Sequence, residues 1–94
     1  MNIIARKALI EYGNRHADAK GQLDAWYHEA AKAGWRGPQD IKERYPSASF
    51  LHDNVVVFNI KGNKYRLVVK VGYAAGVVFV KWFGTHAEYG RKEF

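Results

Sequence analysis

The 94-residue chain predicts a single α+β domain, with helices in its first half and strands in its second. Apolar residues recur at intervals of three and four up to Pro46, then alternate with period two from Val55 onward. A hydrophobic content of 48% and an aromatic content of 15% are enough for one modest core, since a chain of this size buries roughly 60–65% of its unfolded surface. No linker, internal repeat or low-complexity tract interrupts residues 1–94, so one domain spans them.

Met1 to Ala5 is a short apolar run suited to an edge or central strand. From Arg6, the spacing of Ala8, Leu9 and Tyr12 predicts a helix that Gly13 and Asn14 weaken near its end. A longer helix follows, with Asp18 expected as its N-cap and Gly34 as its close. Leu23, Trp26, Tyr27, Ala30 and Ala31 form its apolar stripe. Helical spacing makes Trp26 and Tyr27 core or partner-contact residues, and Trp35 is grouped with them. Pro38 suits the first position of a short helix, PQDIKERY, which Pro46 stops.

Val55 to Ile60 and Lys64 to Val71 are strands joined by Gly62-Asn63, residues that tolerate the positive φ of a primed hairpin turn. That turn sets Ile60 opposite Tyr65, Asn59 opposite Arg66, Phe58 opposite Leu67, Val57 opposite Val68 and Val56 opposite Val69. Ile60, Tyr65, Phe58, Leu67, Val56 and Val69 then share an apolar face, while Lys61, Lys64, Asn59 and Arg66 gather on the other. A second reversal at Ala74-Ala75 leads to Val77–Phe83 and pairs Val78, Val80 and Trp82 with Val71, Val69 and Leu67 on the core face. Lys81 is then beside Val68 and extends the basic surface; a loop shifted by one residue would turn it inward. Beyond the strand, Thr85 and Glu88 fit a capping box that starts a final helix. In this register Gly84 opposes Tyr65, and His86 to Tyr89 emerge near Lys64 and Arg66.

Fifteen Lys and Arg against nine Asp and Glu leave a net charge of +6, which favours polyanionic partners. The chain has no Cys, which excludes a disulfide framework and thiol chemistry. No segment reaches the ~18 apolar residues of a membrane span, and the opening MNIIARK lacks the apolar core of a secretion signal. A cytoplasmic protein with no membrane association is the expectation. His16, His28 and His52 have no metal-ligand spacing with nearby carboxylates, so neither a metal nor another cofactor is assigned.

The cluster expected from Lys64, Arg66, His86 and Tyr89 holds the parts of a metal-free ribonuclease. Such an enzyme needs a base for the 2′-hydroxyl proton, cations for the phosphate and an acid for the leaving 5′-oxygen. Arg offers a fork matched to phosphate oxygens and Lys a compact charge. Histidine as a type titrates near neutrality, which suits His86 to proton transfer, and Tyr89 can donate a hydrogen bond or stack on a base. Taken alone, a basic sheet face is most simply a solvated one, and Glu88 and Tyr89 are most simply capping and packing residues.

Three stretches read together, "AWYHEAAKAGWRGPQDIKERYPSASFL", "VVFNIKGNKYRLVVKV" and "GTHAEY", resemble the HigB family of type II toxin-antitoxin toxins, a branch of the RelE-like mRNA interferases. The likeness runs from MNIIARKAL to Tyr89. It implies a compact RelE-like α+β fold, helices on one face of a small, mostly antiparallel sheet, and an endoribonuclease that cleaves mRNA in the ribosomal A site by metal-independent 2′-hydroxyl attack. It also implies a HigA-like helix-turn-helix antitoxin, with operator DNA bound only through the antitoxin complex. By position, Lys64 and Arg66 would hold the scissile phosphate, His86 would transfer protons and Tyr89 would position a base or assist the acid step. Lys61, Asn59 and Lys81 would extend the RNA-binding surface. Gly90 stands where members of the family often carry an acidic residue. The same scaffold serves ParE-like toxins acting on gyrase, and an RNA- or ribosome-binding module would need the basic face without His86.

Overall fold

The computed structural model describes all 94 residues. In chain order the elements are β1 (Asn2–Ile4), α1 (Arg6–Arg15), a single 3-10 turn (Ala17–Ala19), α2 (Lys20–Lys32), α3 (Pro38–Arg44), β2 (Ser49–Phe50), β3 (Val55–Ile60), β4 (Tyr65–Gly72), β5 (Val77–Thr85) and α4 (His86–Tyr89). The strands form one mixed five-stranded sheet in the order β1-β5-β4-β3-β2, antiparallel except where β1 lies beside β5. Helices packed against one side of a mostly antiparallel sheet are the α+β architecture expected.

The helical stripe is buried at three of its five predicted positions, with Tyr27 half-buried. Leu23, Trp26 and Ala30 of α2 are buried, as is Trp35 beyond it, while Ala31 is exposed. Phe58 of β3 is the hub, meeting Trp26, Trp35 and Tyr45 at ring-centroid distances of 5.3, 6.2 and 5.0 Å. Aromatic pairs at such separations favour edge or offset contact, which ties α2 and α3 to the middle of the sheet.

The register of β3 against β4 is the expected one, from Ile60 opposite Tyr65 to Val55 opposite Lys70. The loop differs in detail. It spans residues 61–64, and the left-handed positions are Lys61 (φ 57°) and Gly62 (φ 63°), not Gly62 and Asn63. Because this loop has the parity of a two-residue turn, the faces are unchanged.

The second hairpin departs further. Ala74 and Ala75 are at the centre of its turn, with Gly76 at φ 70° taking the left-handed step, and Val71 and Val69 oppose Val78 and Val80 as expected. A bulge between Val68 and Val69 then shifts the ladder, so that Trp82 opposes Val68 and Phe83 opposes Leu67. Trp82 therefore lies on the face away from the helices. Phe83 takes the core position and stacks on Tyr12 and Tyr65 at 5.4 and 5.2 Å. The bulge leaves Lys81 unpaired and exposed, so it does not turn inward. Nor is the outer face uniformly basic, since Val57 and Val68, in the same cross-strand row as Trp82, are buried.

Candidate active site

Three segments converge where the β3–β4 loop ends: the start of β4, the junction of β5 with α4, and the connector between α1 and α2. The junction is built by the residues that predicted it. The Glu88 amide donates to Thr85 Oγ1 at 3.1 Å, and the Thr85 amide donates to Glu88 Oε1 at 2.8 Å, closing the capping box. Those hydrogen bonds from Thr85 hold the Glu88 carboxyl below the usual carboxylate range, with smaller contributions from the charges of His16 and Arg91.

The shifted ladder places Thr85 opposite Tyr65 and Gly84 opposite Arg66, one residue from the expected Gly84–Tyr65 pair. The final segment still arrives where it was expected. The His86 amide donates to the Lys64 carbonyl at 3.0 Å, fixing the start of α4 against the hairpin. Three residues along, the Tyr89 ring lies beneath the Arg66 guanidinium, whose carbon is 6.0 Å from the ring centroid. Arg66 also donates through Nη1 to the carbonyls of Asn63 and Tyr65 at 3.3 and 3.4 Å. These contacts orient the guanidinium without neutralising it, and Arg66 enters no ion pair.

Lys64 differs from its neighbour. Its ammonium does not join Arg66 on the outer face; it pairs with Asp18 Oδ2 at 2.5 Å, on the helical side. The Tyr65 hydroxyl donates to the other oxygen of the same carboxylate at 2.7 Å. Asp18 is therefore not the N-cap of α2, which starts at Lys20 after Ala19 with no side-chain cap. Hydrogen bonding by Lys64, then Tyr65, lowers the Asp18 pKa, and the same carboxylate raises those of Lys64 and Tyr65. The physical reason is reach: Lys64 is in the loop, so its long side chain can turn around the hairpin end, whereas Arg66 is fixed by strand parity.

The remaining expected residues border this end less closely. Asn59 opposes Arg66 and is half-buried, while Lys61 is exposed in the loop, its amide donating to Gln22 Oε1 of α2. Neither Lys61 nor Lys81 takes part in an ion pair. His16 is the residue that spacing did not single out. Its ring meets Tyr65 at 5.0 Å and Phe83 at 5.5 Å, which sets a second imidazole at the same end of the sheet as His86. Only the packing of the α1–α2 connector onto β4 and β5 brings it there. No three His, Asp or Glu side chains converge into a metal-binding group.

The model of a HigB toxin family, the RelE-like toxic component of a toxin-antitoxin system, matches residues 19–92. The chain belongs to that family. The mRNA interferase toxin HigB of Escherichia coli (strain K12) is 31% identical over 91 residues, which cover 95% of this chain and 88% of that protein. The mRNA interferase HigB of Shigella flexneri is similar to the same extent. Within this HigB-family chain the matched span includes the whole hairpin and α4, whereas His16 and Asp18 precede it. No helix of the protein is long and apolar enough to cross a membrane.

Proposed function

We propose that this HigB-family toxin is a metal-independent mRNA endoribonuclease that acts in the ribosomal A site and inhibits translation. The observation that carries this reading is the placement of an uncompensated cation beside the short helix that starts at His86. Arg66, free of any carboxylate, is set over Tyr89, while His86 starts the same short helix and is bonded through its amide to the Lys64 carbonyl.

In the reaction, the ribose 2′-oxygen attacks the adjacent phosphorus, and its proton passes to a base. The P–O5′ bond breaks as an acid supplies a proton to the leaving oxygen, giving a 2′,3′-cyclic phosphate and a 5′-hydroxyl. Arg66 holds the phosphate oxygens and stabilises the charge that grows on them. Lys64 joins in holding the phosphate when that anion competes with Asp18 for its ammonium. His86 transfers protons, and Tyr89 stacks against a base or assists the acid step. Lys61, Asn59 and Lys81 extend the RNA-contacting rim. The partner that silences this activity is a HigA-like helix-turn-helix antitoxin, through which alone the pair contacts operator DNA, in the cytoplasm.

The experiment is induction of the chain in cells lacking the antitoxin, with RNA 5′ ends mapped over time. New 5′-hydroxyl ends within translated messages are expected, and Arg66→Ala should lower cleavage by about 10²–10³-fold, the usual loss for one transition-state donor. Intact transcripts accompanied by stalled replication would instead favour a gyrase-directed toxin on the same scaffold.

A further inference from the structure

Trp82 is the one indole outside the core. Trp26 and Trp35 are 2% and 6% exposed, whereas the bulge carries Trp82 to the outer face, where it is half-buried. Its ring is laid along its own strand across Gly84: a Cβ there would stand 2.6 Å from both Cη2 and Cζ2 of the indole. Gly84 thus seats the ring as well as ending the strand's regular side-chain pattern. Tyr89 and Phe94 complete an aromatic cluster, with centroids 6.3 and 5.8 Å from Trp82 and planes tilted 45° and 55° from the indole, while the Tyr89 and Phe94 rings stack within 14° of parallel. Two cations flank these rings, Arg66 at 6.0 Å from Tyr89 and Lys92 at 6.0 Å from Trp82. The Glu88 carboxylate, on the same helix as Tyr89, is engaged by the Thr85 amide.

Flat aromatic faces bordered by cations suit an unpaired nucleotide, whose base stacks while its phosphate meets the positive charge. We propose that Trp82 is a second stacking face beside Tyr89, so that two successive unpaired bases next to the scissile phosphate are held one on each tilted ring, the base on Tyr89 taking the place where Phe94 now lies parallel to it. This assignment rests on the ribonuclease reading and adds to it a second base contact, made by Trp82 on the outer face of the sheet. Stacking is tolerant of base identity, so the platform supplies affinity and position more than sequence preference.

The test uses the intact chain and a short 2′-O-methyl oligoribonucleotide, which binds but lacks the attacking hydroxyl. Binding followed by anisotropy should be accompanied by saturable quenching of tryptophan fluorescence, because only Trp82 is open to a stacked base. Trp82→Leu should abolish the quenching and weaken binding by about 5- to 100-fold, the range of a single base–aromatic stack. Trp82→Phe should recover most of that affinity. Gly84→Ala, which keeps the indole but displaces it, should weaken binding in the same direction, and Phe94→Ala should tighten binding by removing the competing ring. Undiminished affinity in Trp82→Leu, or binding without quenching, overturns the platform even if cleavage proceeds. Weaker binding by Phe94→Ala overturns the place assigned to the base. If wild type neither binds the oligonucleotide nor cuts RNA, the ribonuclease reading fails and the platform falls with it.

Discussion

The two hairpins share β4, and each closes with a four-residue loop, yet only one keeps its register. In β3–β4, six pairs run without a slip, and every core-side pair is apolar on both strands. In β4–β5, an unslipped ladder would put Trp82 under the helices and Phe83 outside. The bulge exchanges them, admitting Phe83 to the stack between Tyr12 and Tyr65 and releasing the indole. The regular hairpin carries Arg66 on its outer face, and the irregular one turns Trp82 to that face and leads to the helix that sets Tyr89 beneath Arg66, in keeping with the tendency of bulges to re-aim side chains.

Single deletions test this contrast most severely. Removing Asn59 shifts Val55–Phe58 by one position, which turns their core side chains outward. That variant is expected to be unfolded by circular dichroism. Removing Lys81 takes out only the extra residue, so Val69 still opposes Val80 and Val68 still opposes Trp82. This variant should fold and melt cooperatively. Its cleavage should fall by on the order of tenfold to a hundredfold, through loss of the local twist that aims β5. An unfolded Lys81 deletion, or a folded Asn59 deletion, would break the comparison.

Point substitutions measure the two faces on one scale. Phe58→Ala empties the hub of the helix-side core and should cost about 3–5 kcal/mol in urea denaturation. Val68→Ala, equally buried on the outer face, removes two methyl groups and should cost about 2 kcal/mol. A negligible loss for Val68→Ala would mean that the outer row is only lightly packed.

These contrasts mark what could be read from sequence. The β3–β4 register was legible because alternation and turn parity agree, and parity survived even though Lys61 rather than Asn63 took the left-handed backbone. The capping box at Thr85 was legible because it is local. The bulge has no residue signature: Val80, Lys81 and Trp82 alternate as an ordinary strand does, and the slip shows only in Phe83 rather than Trp82 reaching the core. Ser49–Phe50 is too short a strand to show a period. The Lys64–Asp18 pair joins residues 46 positions apart, and His16 reaches Tyr65 through the same packing of the α1–α2 connector. Contacts of that kind are set by tertiary structure and leave no spacing to read.

His16 offers the next sharpening, because it touches the core through Phe83 and the site through Tyr65. His16→Phe keeps a ring of similar breadth while removing the exchangeable proton. If His16 shares in proton transfer, His16→Phe should retain its melting temperature and lose about a hundredfold in cleavage, the lower end of the usual acid–base contribution. The pH–rate profile should also lose one limb. Unchanged cleavage would confine His16 to packing.

The smallest expected effect separates the two neighbouring cations of β4 and its loop. Asp18 has a folded pKa below its unfolded value, so its contribution to stability is present above the unfolded value and is lost as pH falls through the folded one. Lys64 and Tyr65 have raised folded values; their contributions are present below their unfolded values and are lost as pH rises through the folded ones. The wild-type advantage over Asp18→Asn should therefore form a plateau, narrowing below about pH 4 and again above about pH 10, near the ordinary values of these groups. Added salt should shrink the plateau, since the pair is exposed. Cleavage by Asp18→Asn should be no lower than wild type, because the substitution releases the Lys64 ammonium and leaves Arg66 untouched. A large loss of cleavage in Asp18→Asn would instead mean that the site depends on Lys64 being held in place, and that the loop cation is positioned as strictly as the strand cation.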